Sequence, residues 1–504
     1  MSTELRSSYK KLLAKNKDLI VLGSAQAILH WDMETMMPPR GVGLRSEQLA
    51  LLSSIHHEMS TAPAIGKLLR EILKHPAYDT LSEVEKRNVQ LIKKNYDEQT
   101  RLPTKLVAEI AKQQAITVNI WKKAKATQNF NLFKPELEKL VDLNKQAAAI
   151  LMEAKQTETP YDALIDIYEP KMDAESIAKI FSDLQKGLEK LLQKIETSIQ
   201  PNTRILSQKV PVEKQRDIAK LLVKILNYDI SSPNAGGRID ETEHPFSTGY
   251  YDDVRITTHY HTDKWTSSIF SVLHETGHAL YEQGLPQEWK YQPVGAPCSL
   301  GFHESQSRLY ENIIGRSKEF WINIIPKIKG VKAELDEFIR AINVVAPSKI
   351  RIEADEVTYN LHVIIRFQIE KDLFGDKLTI AELPEVWNQK YKQALGVNIE
   401  NDSEGVMQDT HWASGLYGYF PTYALGNIYS GQIINKIQQE NPTWSAEVAI
   451  GNLEHIRTWL TSNIYNHGNL YDPADLLKKA TDEKPNVEPY LRYLEEKYQK
   501  LYAF

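Results

Sequence analysis

His274, Glu275 and His278 have the residue types and the spacing for metal-assisted hydrolysis: two histidines four residues apart, with a glutamate directly after the first. On a helix the two imidazoles share one face and can reach a single tetrahedral ion. Glu275 is rotated about 100° from His274, toward the ion's open position. That places it as the general base, taking a proton from the attacking water and handing it to the leaving amine, while the ion acidifies the water and polarises the scissile carbonyl. Gly277, inside the same motif, costs about 1 kcal/mol relative to alanine and is tolerated where something must approach the helix closely. No third histidine follows at the spacing that would complete a three-histidine set, so the remaining ligand must come from another element, typically a carboxylate on a second helix. His303-Glu304-Ser305-Gln306 opens such a helical run. Glu304 is therefore the candidate third ligand, against the alternative of an ordinary surface glutamate.

The elements that must hold these groups are mainly helical. The 504 residues are 42% hydrophobic and 25% charged, as in a folded enzyme, and the 23 Gly and 23 Pro cluster rather than recurring at strand-and-turn intervals. We expect one helical piece over 1–504, with 1–226 as scaffold and groove wall and 227–504 as the metal and substrate half. The motif helix is expected from Asp263 to Gln283, capped by Thr262 or Asp263 and stopped at Gly284 and Pro286. Residues 227–263 lose the helix formers. Asp253 to Tyr260 alternates β-branched residues at period two, which predicts an edge strand in a hairpin or small sheet leading into the motif helix. Near the start, the helix bearing His30-Trp31-Asp32 is expected to stop at Pro38-Pro39, its aromatics serving packing.

A formal charge of −5 gives no basic footprint for nucleic acid, and no window approaches about 18 apolar residues, so neither nucleic acid nor membrane is an expected partner. The N-terminal sequence lacks a signal-peptide core, and the single cysteine, Cys298, fits a reducing compartment. The cytoplasm is the expected location.

Beyond the metal motif, six ordered blocks resemble the carboxypeptidase Taq family of H-E-x-x-H metallocarboxypeptidases: His244-Pro245-Phe246, Asp253 to Thr257, His274 to His278, His303 to Gln306, Ile350 to Asp355, and Gly405 to Trp412. Trp31-Asp32 to Pro39 and Phe420-Pro421-Thr422-Tyr423 extend the likeness to most of the chain. The resemblance implies a mostly α-helical homodimer with a long central groove. It also implies one zinc, for which cobalt sometimes substitutes, held by His274, His278 and Glu304. The implied activity is broad-specificity release of C-terminal residues, with Glu275 as catalytic base.

A carboxypeptidase needs a cation for the substrate's terminal carboxylate. The helix expected from Ser348 to Leu373 puts Arg351, Asp355, Tyr359, His362 and Arg366 on a polar stripe about 80° wide, which on its own reads as a solvated face with an Arg351–Asp355 pair. With the resemblance, Arg351 becomes the carboxylate reader, supported by Asp355, and Arg255 a second candidate. His244 and Gln408 are further substrate-binding candidates. Tyr423 and His411 are candidate donors to the developing oxyanion, in a loop from Gly405 to Tyr429 that also carries Tyr417, Tyr419 and Tyr429. Simple packing, with hydroxyls bonded to backbone, is the alternative for these tyrosines. An oligopeptidase cutting internal bonds of short peptides shares the metal motif and is the competing reading.

Overall fold

A computed structural model describes residues 3–504. Helices make up most of it, joined by short turns and capped by the residues their sequences supply. Ser82 with Glu85 and Thr159 with Asp162 form reciprocal capping boxes, and Asp173 caps the helix Ala174–Glu196. The first helix, Thr3–Thr35, stops before Pro38 and Pro39, as proline's missing N–H and fixed φ require. One continuous apolar core runs from Ala124 to Tyr502, and a separate cluster, including Leu5, Leu12, Leu69, Ile72 and Val89, holds the N-terminal helices together. Among the described residues no helix is long and apolar enough to cross a membrane.

Three short strands interrupt the helices: β1 (Gly237–Glu241), β2 (Ser247–Tyr250) and β3 (Asp253–Thr258). The order is β1-β3-β2, with β1 parallel and β2 antiparallel to β3. The Asp253 strand is therefore central, not the expected edge, because the Gly237 segment pairs on its other side. Gly249, within β2 opposite Val254, sits at φ +136, where a Cβ would lie 2.0 Å from the Asp253 carbonyl oxygen, so the close β2–β3 pairing requires glycine there. The first helix packs against this sheet: Trp31 is buried beneath the guanidiniums of Arg238 and Arg255, and Thr242 Oγ1 donates to the Glu34 carbonyl.

The motif helix spans Trp265–Gln283. Its N-terminus has no side-chain cap from Thr262 or Asp263, since the helix starts after Lys264 and the Thr262 carbonyl accepts from Val210 instead. It ends at Gly284, whose N–H closes onto the Leu280 and Tyr281 carbonyls. The second site helix, Leu300–Arg308, is capped by Ser299 and continues into a π-helical turn, Leu309–Ile314. Two glycines let this helix be approached from both sides. A Cβ on Gly277 would lie 2.5 Å from the Gln306 carbonyl oxygen, and one on Gly426, in the helix Pro421–Glu440, 2.6 Å from Glu304 Cβ. The close approach expected at Gly277 is thus made by the helix that carries Glu304.

The expected helix from Ser348 to Leu373 is broken. A single turn, Arg351–Glu353, is followed by extended backbone at Ala354, and the helix proper is Tyr359–Phe374. Asp355 causes the break: its carboxylate accepts from the backbone N–H groups of Ala346, Val357 and Thr358 and from Thr358 Oγ1. A side chain so engaged organises a turn rather than a continuing helix. Likewise, Tyr423 and Tyr429 lie not in a loop but on the helix that opens at Pro421.

Candidate active site

His274, His278 and Glu304 come together, their ligand atoms all within 4.8 Å of one another. Glu304 Oε2 lies 3.7 Å from His274 Nε2 and 3.5 Å from His278 Nε2. Ligand atoms on a tetrahedral ion with bonds of about 2.1 Å are roughly 3.4 Å apart, so this donor set fits a divalent cation. His274 and Glu304 are each held from behind. Glu311, on the π-helical turn, lies 2.8 Å from His274 Nδ1, leaving Nε2 to face inward. Arg308 Nε donates to Glu304 Oε1 at 2.6 Å and Ser307 Oγ to Oε2 at 3.0 Å. The two histidines differ: the surroundings favour positive charge on His274 and, through burial and the neighbouring imidazoles, oppose it on His278. Burial opposes a charged His274, yet Glu304 and Glu311 outweigh it and raise its pKa to about 9. Burial also opposes the charge on Glu304, but Arg308 and the two histidines hold it well below the usual carboxylate range.

Glu275 is buried beside the cage, with Ser247 of β2 as a hydrogen-bond partner. Burial pushes its pKa up to about 7, with Glu304 and Glu311 adding to the rise and His274 and Ser247 opposing it.

Arg351 is buried and does not pair with Asp355, whose carboxylate serves the turn described above. Its partner is Asp409: Nε and Nη2 donate to Oδ1 at 3.1 and 2.8 Å. Nη1 donates to the Tyr359 hydroxyl at 3.0 Å. Of the five guanidinium N–H groups, two, one on each terminal nitrogen, have no hydrogen-bond partner among the described residues. The ring of Tyr359 carries Arg308 on its face, 4.3 Å from the centroid, so a single tyrosine links the cation on Glu304 to Arg351. Tyr423 approaches from the helix Pro421–Glu440. Its ring centroid is 5.1 Å from Arg351, its hydroxyl is 3.2 Å from His411 Nε2, and Gly426 on the same helix packs on Glu304.

The other sequence candidates occupy different positions. Gln408 is spent on structure: its Oε1 accepts from the Arg351 backbone N–H and from Arg366, and its Nε2 donates to the carbonyls of Lys349 and Glu404. Arg255 is paired with Asp253 and stacked on Trp31. His244 is exposed between β1 and β2. Sequence reasoning missed Arg308 and Glu311, although both lie on Glu304's own helical run, and it missed Asp409 as the partner of Arg351 and Arg366.

A model of the family described as Carboxypeptidase Taq (M32) metallopeptidase matches residues 11–498. The chain belongs to this family. It is 39% identical to thermostable carboxypeptidase 1 of Thermus thermophilus and 37% identical to carboxypeptidase 1 of Bacillus subtilis, each alignment covering 99% of both chains. Its fold matches the crystal structure of the M32 carboxypeptidase from Deinococcus radiodurans with a TM-score of 0.94 at 34% identity, covering 99% of this chain and 100% of that one. This M32 chain is thus a metal-dependent carboxypeptidase, a peptide hydrolase, with the mainly helical fold and small sheet of its family.

Proposed function

We propose that the chain releases C-terminal residues one at a time from peptides of broad sequence, using zinc held by His274, His278 and Glu304, with cobalt able to substitute. A two-histidine, one-glutamate donor set with room for substrate is the pattern of catalytic zinc. A cation bound there supplies Lewis acidity to the water and to the scissile carbonyl. Glu275 takes the proton from the attacking water and returns it to the departing amine. Tyr423, steadied by His411, donates a hydrogen bond to the oxygen on which charge develops. Arg351 accepts the substrate's terminal carboxylate on its two remaining N–H groups, while Asp409 fixes the plane of the guanidinium.

The observation that carries this reading is the contact chain Glu304–Arg308–Tyr359–Arg351, in which a buried guanidinium lies one tyrosine ring from the cation paired with Glu304. An internal peptide segment would leave the two remaining N–H groups of Arg351 buried without an acceptor, which costs more than the lost contact. A homodimer working in the cytoplasm, the assembly and compartment that the family resemblance implies, completes the reading.

The test is mass analysis of an N-blocked peptide incubated with the enzyme as purified, after chelation, and after zinc or cobalt is restored, together with its metal content. Stepwise loss of single C-terminal residues that disappears with chelation and returns with zinc is expected. Cleavage inside the peptide would favour an oligopeptidase, and a monomer by sedimentation would remove the dimer.

A further inference from the structure

Glu282 and His303 have no part in the chemistry above, yet they stand directly behind a ligand. His303 Nδ1 lies 2.5 Å from His278 Nδ1, and His303 Nε2 lies 2.9 Å from Glu282 Oε1. Glu282 is in the last turn of the motif helix and His303 in the first turns of the helix that carries Glu304, so the pair spans the two elements that build the cage. The ring of Tyr281, tilted at 57° to the His303 imidazole with its centroid 5.4 Å away, flanks that imidazole on one side.

With both imidazoles neutral and Glu282 ionised, one placement of hydrogens satisfies all three groups. A carboxylate can only accept, so His303 must carry its hydrogen on Nε2 and donate it to Glu282. His303 Nδ1 is then a lone pair, and the hydrogen between the two rings belongs to His278 Nδ1. That leaves His278 Nε2, 3.5 Å from Glu304 Oε2, with its lone pair facing the cage. We propose that the Glu282–His303 pair selects the tautomer and ring orientation of His278 and thereby sets the metal affinity of the site. The proposal rests on His278 being a ligand. The two histidines are consequently held in different ways, His274 by a carboxylate directly and His278 by a carboxylate acting through a second imidazole.

Glu282 and His303 also face a cavity of about 850 Å³ bounded by Arg87, Lys94 and Tyr168, so both can be substituted without displacing packed core. The experiment measures zinc affinity by chelator competition, and the cobalt absorption spectrum, for wild type, His303→Phe, Glu282→Ala and Glu282→Gln. The unfolding midpoint of each metal-free protein is measured alongside. His303→Phe and Glu282→Ala are expected to bind zinc about 10- to 100-fold more weakly, whereas Glu282→Gln, whose amide oxygen still accepts from His303, stays within about three-fold. The cobalt bands shift in the first two, and the metal-free midpoints stay at the wild-type value. Wild-type affinity and bands in His303→Phe would overturn the proposal, as would Glu282→Gln binding as weakly as Glu282→Ala. Wild-type protein that takes up no zinc would instead overturn the assignment of the ligands.

Discussion

Asp409 holds Arg351 through one carboxylate oxygen, Oδ1, 2.8 Å from Nη2, while its other oxygen, Oδ2, holds Arg366 at 2.6 Å. Burial opposes the charge on Asp409, but the two guanidiniums keep its pKa well below the usual carboxylate range. Asp409→Asn leaves two buried cations short of one anion. Charge-assisted hydrogen bonds are worth about 1.5–3 kcal/mol, so kcat/KM for free-acid peptides is expected to fall roughly 10- to 100-fold, chiefly through KM. Unchanged KM in steady-state kinetics would show that Asp409 does not position Arg351 for substrate.

Tyr423 is the second test of the assigned roles. If its hydroxyl donates to the developing oxyanion, Tyr423→Phe lowers kcat by about 10²–10³-fold with KM little changed. A change confined to KM would return Tyr423 to a packing role. His411→Ala, which removes the neighbour 3.2 Å from that hydroxyl, is expected to give a smaller loss in the same parameter.

Gly277 and Gly426 flank the helix that carries Glu304, and each lacks room for a methyl group. Overpacking at such a contact costs about 1–3 kcal/mol and displaces the neighbouring backbone. Gly426→Ala is expected to weaken zinc binding, measured by chelator competition, because its Cβ meets Glu304. Gly277→Ala should lower the unfolding free energy as well, since its Cβ meets main chain at Gln306 and Ser307.

Buried Glu370 gives a pH-dependent prediction away from the metal. It accepts from Trp412 Nε1, the Gly418 N–H and the Tyr161 hydroxyl, yet burial outweighs these bonds and raises its pKa from 4.5 to about 7. The folded protein therefore holds this proton more tightly than the unfolded chain. Its contribution is complete below about pH 4.5 and is lost as pH rises through about 7. Between pH 5 and 8 the stability advantage of wild type over Glu370→Gln should shrink by about 2–3 kcal/mol in denaturant titrations. A constant difference would mean that Glu370 is ionised throughout.

The clustering of His274, His278 and Glu304 was legible in the sequence because its information is local. Four-residue spacing on one helix fixes His274 and His278, and Glu304 opens the next helical run. The setting of Arg351 was only half legible. Arg351 could be named, but its partner lies 58 residues away, and no periodicity connects them. Asp355 was misassigned because an i,i+4 spacing implies a salt bridge only where the helix exists, and the Asp355 carboxylate itself turns the chain. The polar stripe nevertheless survives in part: Tyr359 and Arg366 meet Arg351's network from their own helix, while His362 turns to Tyr391. The central place of the Asp253 strand was hidden because parallel pairing with Gly237–Glu241 leaves no turn signature between them.

The most direct measurement of the central claim is kcat/KM for a peptide with a free C-terminus and for its C-terminal amide, in wild type and Arg351→Ala, with both proteins fully loaded with zinc. If Arg351 reads the terminal carboxylate, wild type prefers the acid by roughly 100-fold or more, and Arg351→Ala loses most of that preference by slowing on the acid alone. Equal rates on acid and amide in wild type, or an undiminished preference in Arg351→Ala, would contradict it.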